Sequence, residues 1–367
     1  MQSACFDSAF GSDDSIVISS PTGSGKTVVL ELALARLFSE ARTGPGRSLA
    51  VYMAPLKALT HERLLDWRPK LASLNLSVVE LTGDSTDDAS DEAAVQRADL
   101  IVTTPEKWDS FSRFRRDASG VMGRVALLLV DEVHNLVEPG RGPTLEAVLA
   151  RMMTISMSEQ VRSMPIARLR VLAASATIQN VEDIATWLGP RCVAKKFDDS
   201  YRPVPLTWRV LTYPMQATYS FDKALIYKLS FVIRDHSAGR PTLVFCNSRK
   251  VCQQAAAQIA TTGHLVHTPA HRDHLMRAAS QLNNAGVAAM VRVGVAFHDA
   301  SLEQGDRHTI EALFAEGALP VIACTTGLAQ GVNLPARLVV VMNTMKVRFS
   351  CAWPTSLRLA LGLSMTA

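Results

Sequence analysis

The stretch IVISSPTGSGKTVVLELALARLF (Ile16–Phe38) decides the fold. It opens as a short apolar strand, Ile16–Ser19, turns through a loop with glycine at 23 and 25, and continues with Val29, Ala33 and Leu37 at helical spacing. A glycine-rich loop set between a strand and a helix is a phosphate-binding loop. Gly23 and Gly25 let the backbone turn so that successive N–H groups face one anion, and the helix start adds its positive dipole end. Lys26 is placed to reach the β- and γ-phosphates of a nucleotide, and the Thr27 hydroxyl to ligate Mg²⁺. The strict pattern begins with glycine; this chain has Ser20, a residue small enough to fit. The bland alternative is a glycine-rich turn carrying a surface lysine.

Outward from this loop, short apolar runs alternate with helical patterns. Strands are predicted at Ile16–Ser19, Leu49–Met53, Val78–Leu81, Leu100–Thr103, Val125–Val130 and Val171–Ala174, and beyond them at Leu243–Cys246, Val293–Phe297, Val321–Cys324 and Leu338–Met342. Continuous apolar strands alternating with amphipathic helices indicate an α/β fold of parallel sheets covered on both faces. The turn-rich segment Asp198–Trp208 reads as a linker, so two α/β lobes are expected, 1–197 and 198–367.

A second motif completes the first. The run VALLLVDEVH (Val125–His134) is a buried strand ending in two carboxylates. Ligands collect at the carboxyl ends of strands in open α/β sheets. Asp131 is placed to hold Mg²⁺, and Glu132 to orient and deprotonate an attacking water. Two carboxylates are needed because the one committed to the metal cannot also act as a base.

Composition sets the class. The 367 residues hold 28 arginines against 10 lysines and carry a net charge of +4, which suits a nucleic-acid partner without requiring one. The six cysteines form no CxxC pair and read as reduced, mostly buried thiols of an intracellular protein. No apolar run is long enough to span a membrane, and the N-terminus has no secretion-signal pattern.

Taken together, these motifs resemble those of superfamily-two helicases of the Ski-two-like DExH group. PTGSGKT (Pro21–Thr27), DEVH (Asp131–His134) and SAT (Ser175–Thr177) are similar to motifs I, II and III. APLKAL (Ala54–Leu59), LTGD (Leu81–Asp84) and TTPEKWD (Thr103–Asp109) are similar to the strand-contacting motifs Ia, Ib and Ic. LVFCNSRK (Leu243–Lys250) and TTGLAQGVNLPA (Thr325–Ala336) are similar to motifs IV and V. Within the group, strings such as DEVHNLVEPGRGPTLEAVLARM and SATIQNVEDIATWLG most resemble the meiotic crossover helicases of the HFM/MER type. Spliceosomal, translation-linked and repair helicases share many of these strings.

The resemblance implies two RecA-like lobes, the second incomplete. It implies ATP and Mg²⁺ as cofactors, with Gln2, Thr22, Gly23, Ser24, Gly25, Lys26, Thr27 and Gly331 at the nucleotide. It makes Thr27 and Asp131 the Mg²⁺ ligands, Asp131 and Glu132 the catalytic pair, and His134, Ser175 and Thr177 the coupling residues. Pro55, Lys57, Thr82, Gly83, Thr104, Pro105, Glu106, Asn247, Thr325 and Thr326 are implied as nucleic-acid contacts. For Lys57, Thr104, Pro105, Glu106, Thr325 and Thr326 the positions also speak: they lie at strand ends, where amides and hydroxyls can grip phosphate. Helix capping is the bland alternative.

The implied function is a 3′–5′ helicase acting on single-stranded or branched DNA in meiotic recombination. An RNA helicase core or a non-catalytic binding fragment are the alternatives. Nuclear location and a role beside recombination proteins follow from the resemblance alone. After Val339–Met345 no QxxGRxGR segment of motif VI follows, so ATP binding with weak turnover is expected, as from a truncated gene product or a short regulatory form. An arginine finger from that segment is worth ~10³–10⁵ in rate. His264, His267, His271 and His274 read as solvated residues rather than a metal site, because Pro269 interrupts the run. Arg113–Asp117 reads equally as a basic turn or a nucleic-acid contact, and Trp67, Trp108 and Trp187 as packing residues.

Overall fold

In the computed structural model, residues 1–40, 48–81, 88–114, 120–214, 218–261, 265, 268–325, 328 and 334–342 are described. They form two compact units, one spanning Met1–Trp208 and one beginning at Arg209.

The first unit runs α1 (Gln2–Ala9), β1 (Ser15–Ser19), α2 (Lys26–Glu40), β2 (Leu49–Met53), α3 (Lys57–Ala72), β3 (Val78–Leu81), α4 (Asp88–Arg97), β4 (Leu100–Thr103), α5 (Pro105–Phe114), α6 (Val121–Arg124), β5 (Val125–Val130), α7 (Gly142–Ser156), β6 (Arg170–Ser175), α8 (Val181–Leu188) and β7 (Cys192–Lys196). Its strands form one parallel sheet in the order β3-β4-β2-β5-β6-β1-β7. Both faces are covered, which is why the inner strands read as unbroken apolar runs: β2 and β4 are buried at every position. On one face, Val29, Leu30, Ala33 and Leu34 of α2 pack with Trp67 of α3 and the inward residues of the sheet. On the other, Trp108 of α5 and Leu145, Val148, Leu149 and Met152 of α7 pack against Val51, Leu128 and Val130. Trp187 departs from its expected packing role and lies on the surface of α8, 37% exposed.

The second unit contains α9 (Thr218–His236), β8 (Thr242–Cys246), α10 (Arg249–Ala260), α11 (Pro269–Ala279), α12 (Ala285–Val291), β9 (Val295–His298), α13 (Gln304–Ala315), β10 (Val321–Thr325) and β11 (Leu338–Val341). Four parallel strands form its sheet in the order β11-β8-β10-β9. The strand expected from Val293 begins two residues later, because Val293 and Gly294 close the end of α12 through N–H bonds to the Met290 and Val291 carbonyls. His271 bonds the Ala318 carbonyl through Nε2 at 2.5 Å, a packing role, while His264 and His267 lie outside the described residues. No group of three or more His, Cys, Asp or Glu able to hold a metal occurs among the described residues. None of the described helices is long and apolar enough to cross a membrane.

One buried cation ties the first helix to the sheet. Arg170, the first residue of β6, is 6% exposed and donates to three carbonyls: Nε to Asp14 (2.8 Å), Nη1 to Ala9 (3.0 Å) and Nη2 to Ser8 (2.6 Å). The fan-shaped guanidinium suits this role, since it presents five donors in a fixed plane. Arg170→Ala would leave the buried Ala9 carbonyl unpaired at about 1–3 kcal/mol and cost the part-buried Ser8 and Asp14 carbonyls about 0.5–1.5 kcal/mol each. A stability loss of roughly 2–4 kcal/mol in chemical denaturation is therefore expected, with α1 losing hydrogen-exchange protection ahead of the sheet. Unchanged protection of residues 2–9 would contradict the clamp.

Candidate functional site

Because every strand of the first sheet is parallel, all seven carboxyl ends share one edge. The ladder continues one bond past the strands: Ser20 N–H donates to the Ser175 carbonyl (3.2 Å), Asp131 N–H to Met53 (2.8 Å) and Ala54 N–H to Thr103 (3.2 Å). Strand order then divides the edge into two contiguous halves. Adjacent β5, β6 and β1 deliver Asp131–Glu132, Ser175–Thr177 and the Ser20–Thr27 loop. Adjacent β2 and β4 deliver Pro55 and Lys57, then Thr104–Glu106.

In the glycine loop, Ser20 is fully buried and its hydroxyl meets that of Ser24 at 2.8 Å, while Ser24 donates to the Pro21 carbonyl at 2.7 Å. Serine at position 20 thus does more than fit: it clasps the loop across its base. Gly23 and Gly25 hold φ of +80° and +90°. The side-chain amide of Gln2 lies directly over Gly25, in the space a Cβ there would take. The α1 residue expected at the nucleotide is thereby laid over the loop. The ammonium of Lys26 is held by the carbonyls of Ser20 (3.0 Å) and Pro21 (3.1 Å). Thr22 and Gly23 are exposed and Thr27 is half-buried in the first turn of α2.

Across β6, the carboxylates form the acidic counterpart. One strand separates β1 from β5, so the two ends lie about 10 Å apart at ~4.8 Å per strand. Asp131 accepts from the Tyr52 hydroxyl at 2.9 Å and from the Glu132 N–H at 3.0 Å. Burial and the neighbouring Glu132 carboxylate push Asp131 up to about 6, against the pull of Tyr52 and Lys26. Burial also raises Glu132, again opposed by Lys26, while Lys26 is itself lowered by burial and supported by Glu132 and Asp131. Two clustered anions facing one lysine make a donor set suited to a hard divalent cation. Mg²⁺ needs only one or two carboxylates when phosphates and water supply its remaining ligands, so Asp131 with the Thr27 hydroxyl fits this demand.

Glu132 is left-handed, at φ 53° and ψ 45°, a conformation costing on the order of 1–3 kcal/mol outside glycine. It turns the chain from β5 into the short 3₁₀ helix Val133–Val137. His134 in that turn places Nδ1 3.3 Å from Glu132 Oε2 and 3.4 Å from the Ser175 hydroxyl. Burial, then Lys26, pushes this imidazole down to about 4, so it is neutral at pH 7 and has one N–H to give. His134 and Ser175 are therefore brought together; Thr177 lies exposed two residues beyond.

On the other half of the edge, Lys57 opens α3 exposed, Pro55 is half-buried, and Pro105 is buried beside exposed Glu106. The Thr104 hydroxyl accepts the Lys107 N–H at 3.4 Å, the capping role weighed as its bland alternative. In the second unit, Thr325 ends β10 opposite Cys246, which places it beside Asn247. Asn247 is turned inward, donating to Asp222 at 3.1 Å. Thr82, Gly83, Thr326 and Gly331 lie outside the described residues. Arg113 pairs with Asp109 on its own helix, which accounts for that part of the basic run.

Two residues had not been singled out by the motifs. Ser20 is the loop clasp. Tyr52 is a fully buried tyrosine in an apolar strand, whose hydroxyl must find a partner, and its register opposite Leu129 places it within reach of Asp131.

Family comparison agrees with this geometry. Residues 1–184 match the DEAD/DEAH box helicase model, and residues 223–356 match the helicase conserved C-terminal domain. The chain belongs to the DEAD/DEAH box helicase family. It is 44% identical over 352 residues to the probable ATP-dependent DNA helicase HFM1 of Mus musculus, covering 94% of this chain and 24% of that protein. It is 37% identical over 350 residues to the ATP-dependent DNA helicase MER3 of Saccharomyces cerevisiae, covering 94% and 28%. To the activating signal cointegrator 1 complex subunit 3 of Danio rerio it is 37% identical over 352 residues, covering 94% and 22%. The Ski-two-like, HFM/MER-type resemblance of its motifs thus extends over 94% of the chain. The chain spans about a quarter of the length of the curated relatives it matches.

The raised Asp131 makes a signed prediction for this helicase core. Ionising Asp131 opposes folding, so the penalty is absent below about pH 4, grows as pH rises toward about 6, and is constant above it. A shift of about two units corresponds to roughly 3 kcal/mol, reduced by solvent at the half-buried edge. In chelator-containing buffer at pH 7.5, Asp131→Asn should be more stable by on the order of 1–3 kcal/mol, with the gain vanishing below about pH 4. Thermal unfolding across pH checks this; identical profiles for both proteins would show that the carboxylate is not held against its own charge.

Proposed function

We propose that this chain is the ATP-binding core of a nucleic-acid motor of the DExH type, a 3′–5′ DNA helicase used in meiotic recombination in the nucleus. The observation that supports it best is the pairing of a glycine loop and its lysine with a carboxylate pair on one sheet edge, where each charge shifts the other. Lys26 and the loop amides would receive the β- and γ-phosphates, and Gln2, lying over Gly25, would read the base end of the nucleotide.

Asp131 and Thr27 would hold Mg²⁺, which supplies charge neutralisation at the phosphates. Glu132 would orient the attacking water and take its proton. Its raised basicity suits that role, because a general base works best when its pKa approaches the operating pH. Neutral His134, between Glu132 and Ser175, would pass the state of this site to the loop beyond β6. Pro55, Lys57 and Thr104–Glu106 would meet phosphate and sugar of a single strand, which makes binding insensitive to base sequence.

Binding measurements test the reading directly. With a fluorescent ATP analogue and Mg²⁺, Lys26→Ala should weaken binding by tenfold or more, the loss of about 1.4 kcal/mol or above expected for a charge-assisted phosphate contact. Glu132→Gln should bind within about twofold of the parent, since a base acts on the water and not on the resting nucleotide. If both variants bind as the parent does, the assignment of the site fails. Titration with single-stranded DNA and RNA of equal length should favour DNA; a preference for RNA would select the RNA helicase core instead.

A further inference from the structure

The two halves of the first sheet edge meet between β2 and β5, where the Tyr52–Asp131 bond spans them beneath and the side chain of Arg141 spans them from the loop before α7. Arg141, the residue before α7, donates from Nη1 to the Pro55 carbonyl at 2.7 Å and sets Nε 3.9 Å from Glu106 Oε1. A small cavity of about 10 Å³, room for about one water molecule, has Asp131 and Glu132 on one side and Pro55, Pro105, Glu106 and Arg141 on the other. The loops that carry the proposed catalytic carboxylates and the proposed strand contacts therefore line one small cavity, with a guanidinium bonded to the second.

Arg141 is also tied to the first. From Glu132 the chain is a run of short-range bonds: the Asn135 N–H (3.0 Å) and side-chain amide (2.7 Å) both donate to the Glu132 carbonyl, Glu138 N–H donates to Asn135 (2.9 Å), and Arg141 N–H (3.2 Å) and Gly142 N–H (2.8 Å) donate to Glu138. Only glycine fits at 142, because a Cβ there would strike the Leu136 carbonyl. Ten residues thus form a hydrogen-bonded bracket with the left-handed Glu132 at one end and Arg141 at the other.

We infer that Arg141 is a positioning residue that couples the nucleotide half of the edge to the nucleic-acid half, by holding the Pro55 and Glu106 corners in register with the Asp131–Glu132 turn. This rests on the function proposed above and adds a route distinct from His134 and Ser175, which lead to the loop after β6. The class of interaction is well suited to switching. One charged bond to a carbonyl at 2.7 Å and a looser ion pair at 3.9 Å can exchange strength as the corner moves by a fraction of an ångström.

The test uses the full chain and two probes, a fluorescent ATP analogue with Mg²⁺ and a single-stranded oligodeoxynucleotide. Each is titrated alone and in the presence of the other, giving a coupling factor that must be the same in both directions. For the parent this factor is expected to be about fivefold or more. Arg141→Ala should bring it close to one, while each ligand alone binds within about twofold of the parent. Arg141→Lys keeps the charge and a donor for the Pro55 carbonyl, so it should restore part of the coupling; it also serves as the readable variant if Arg141→Ala does not fold. Loss of both ligands by the parent would sink the proposed function and this inference together. A parent that binds both ligands without coupling, or full coupling in Arg141→Ala, would overturn the inference alone. So would a uniform loss of DNA affinity with a shallower salt dependence, the signature of a direct phosphate contact.

Discussion

The parallel direction of every strand in the first sheet is the constraint from which the rest follows. A parallel sheet sends all its carboxyl ends to one edge, and each connection must cross back through a helix before the next strand begins. The chain can therefore place residues distant in sequence, Lys26, Asp131 and Ser175 among them, on neighbouring loops without any special contact between them. The ladder bonds that run one step past the strands fix the first residue of each loop as firmly as the strand itself. What remains is the order of strands across the sheet. That order puts loops with phosphate and carboxylate chemistry on β1, β6 and β5, and loops with exposed lysine and helix starts on β2 and β4.

Chemistry at this edge is bought with local instability. Glu132 sits in a conformation that non-glycine residues avoid, and Asp131 is ionised where burial and a second carboxylate oppose it. Each opposes folding by an amount on the order of 1–3 kcal/mol. The surrounding core can carry this because it is fully covered: Leu128 and Val130 of β5 are wholly inaccessible, and the burial of such side chains contributes about 1.5–3 kcal/mol apiece. Strain is tolerated at the edge because the apolar layers beneath it overdetermine where the strands end. The same anionic crowding disposes the site toward a lysine and a divalent cation.

Most of this was legible in the amino-acid pattern, and the exceptions have physical reasons. Inner strands announce themselves because both faces are buried, and β2, β4 and β5 begin and end where their apolar runs do. The edge strand β7 was passed over because Cys192–Lys196 ends in two lysines and has no fully buried residue, so it carries no apolar signature; its place is set by pairing with β1. The glycine loop and the acidic pair were readable as chemistry, but their supports were not. The Ser20–Ser24 clasp depends on the closed shape of the loop, and the Tyr52 bond on strand register. Arg141 stands in a polar, turn-rich stretch that sequence alone gives no reason to prefer over its neighbours. The bond from Asn247 to Asp222, 25 residues earlier on a different element, was likewise not readable from the motif.

These supports share a feature that bears on how such a site can signal. Ser175 is reached from Glu132 through a neutral imidazole at 3.3 and 3.4 Å, and Pro55 through a ten-residue bracket ending in a guanidinium at 2.7 Å. Both routes start at the same left-handed residue and leave in different directions along the edge. A neutral histidine has a single N–H, so it can donate to Glu132 or to Ser175 but not to both. That makes the first route an exchange between two alternative bonds, sensitive to the charge on Glu132. The second is mechanical, since an always-charged guanidinium changes only its distances. Under the function proposed above, a site wired in both ways would report two different events, the charge state around the attacking water and the position of the turn that carries it. The strain stored at Glu132 supplies the common origin: a residue held off its preferred backbone conformation is the element most readily displaced when its surroundings change.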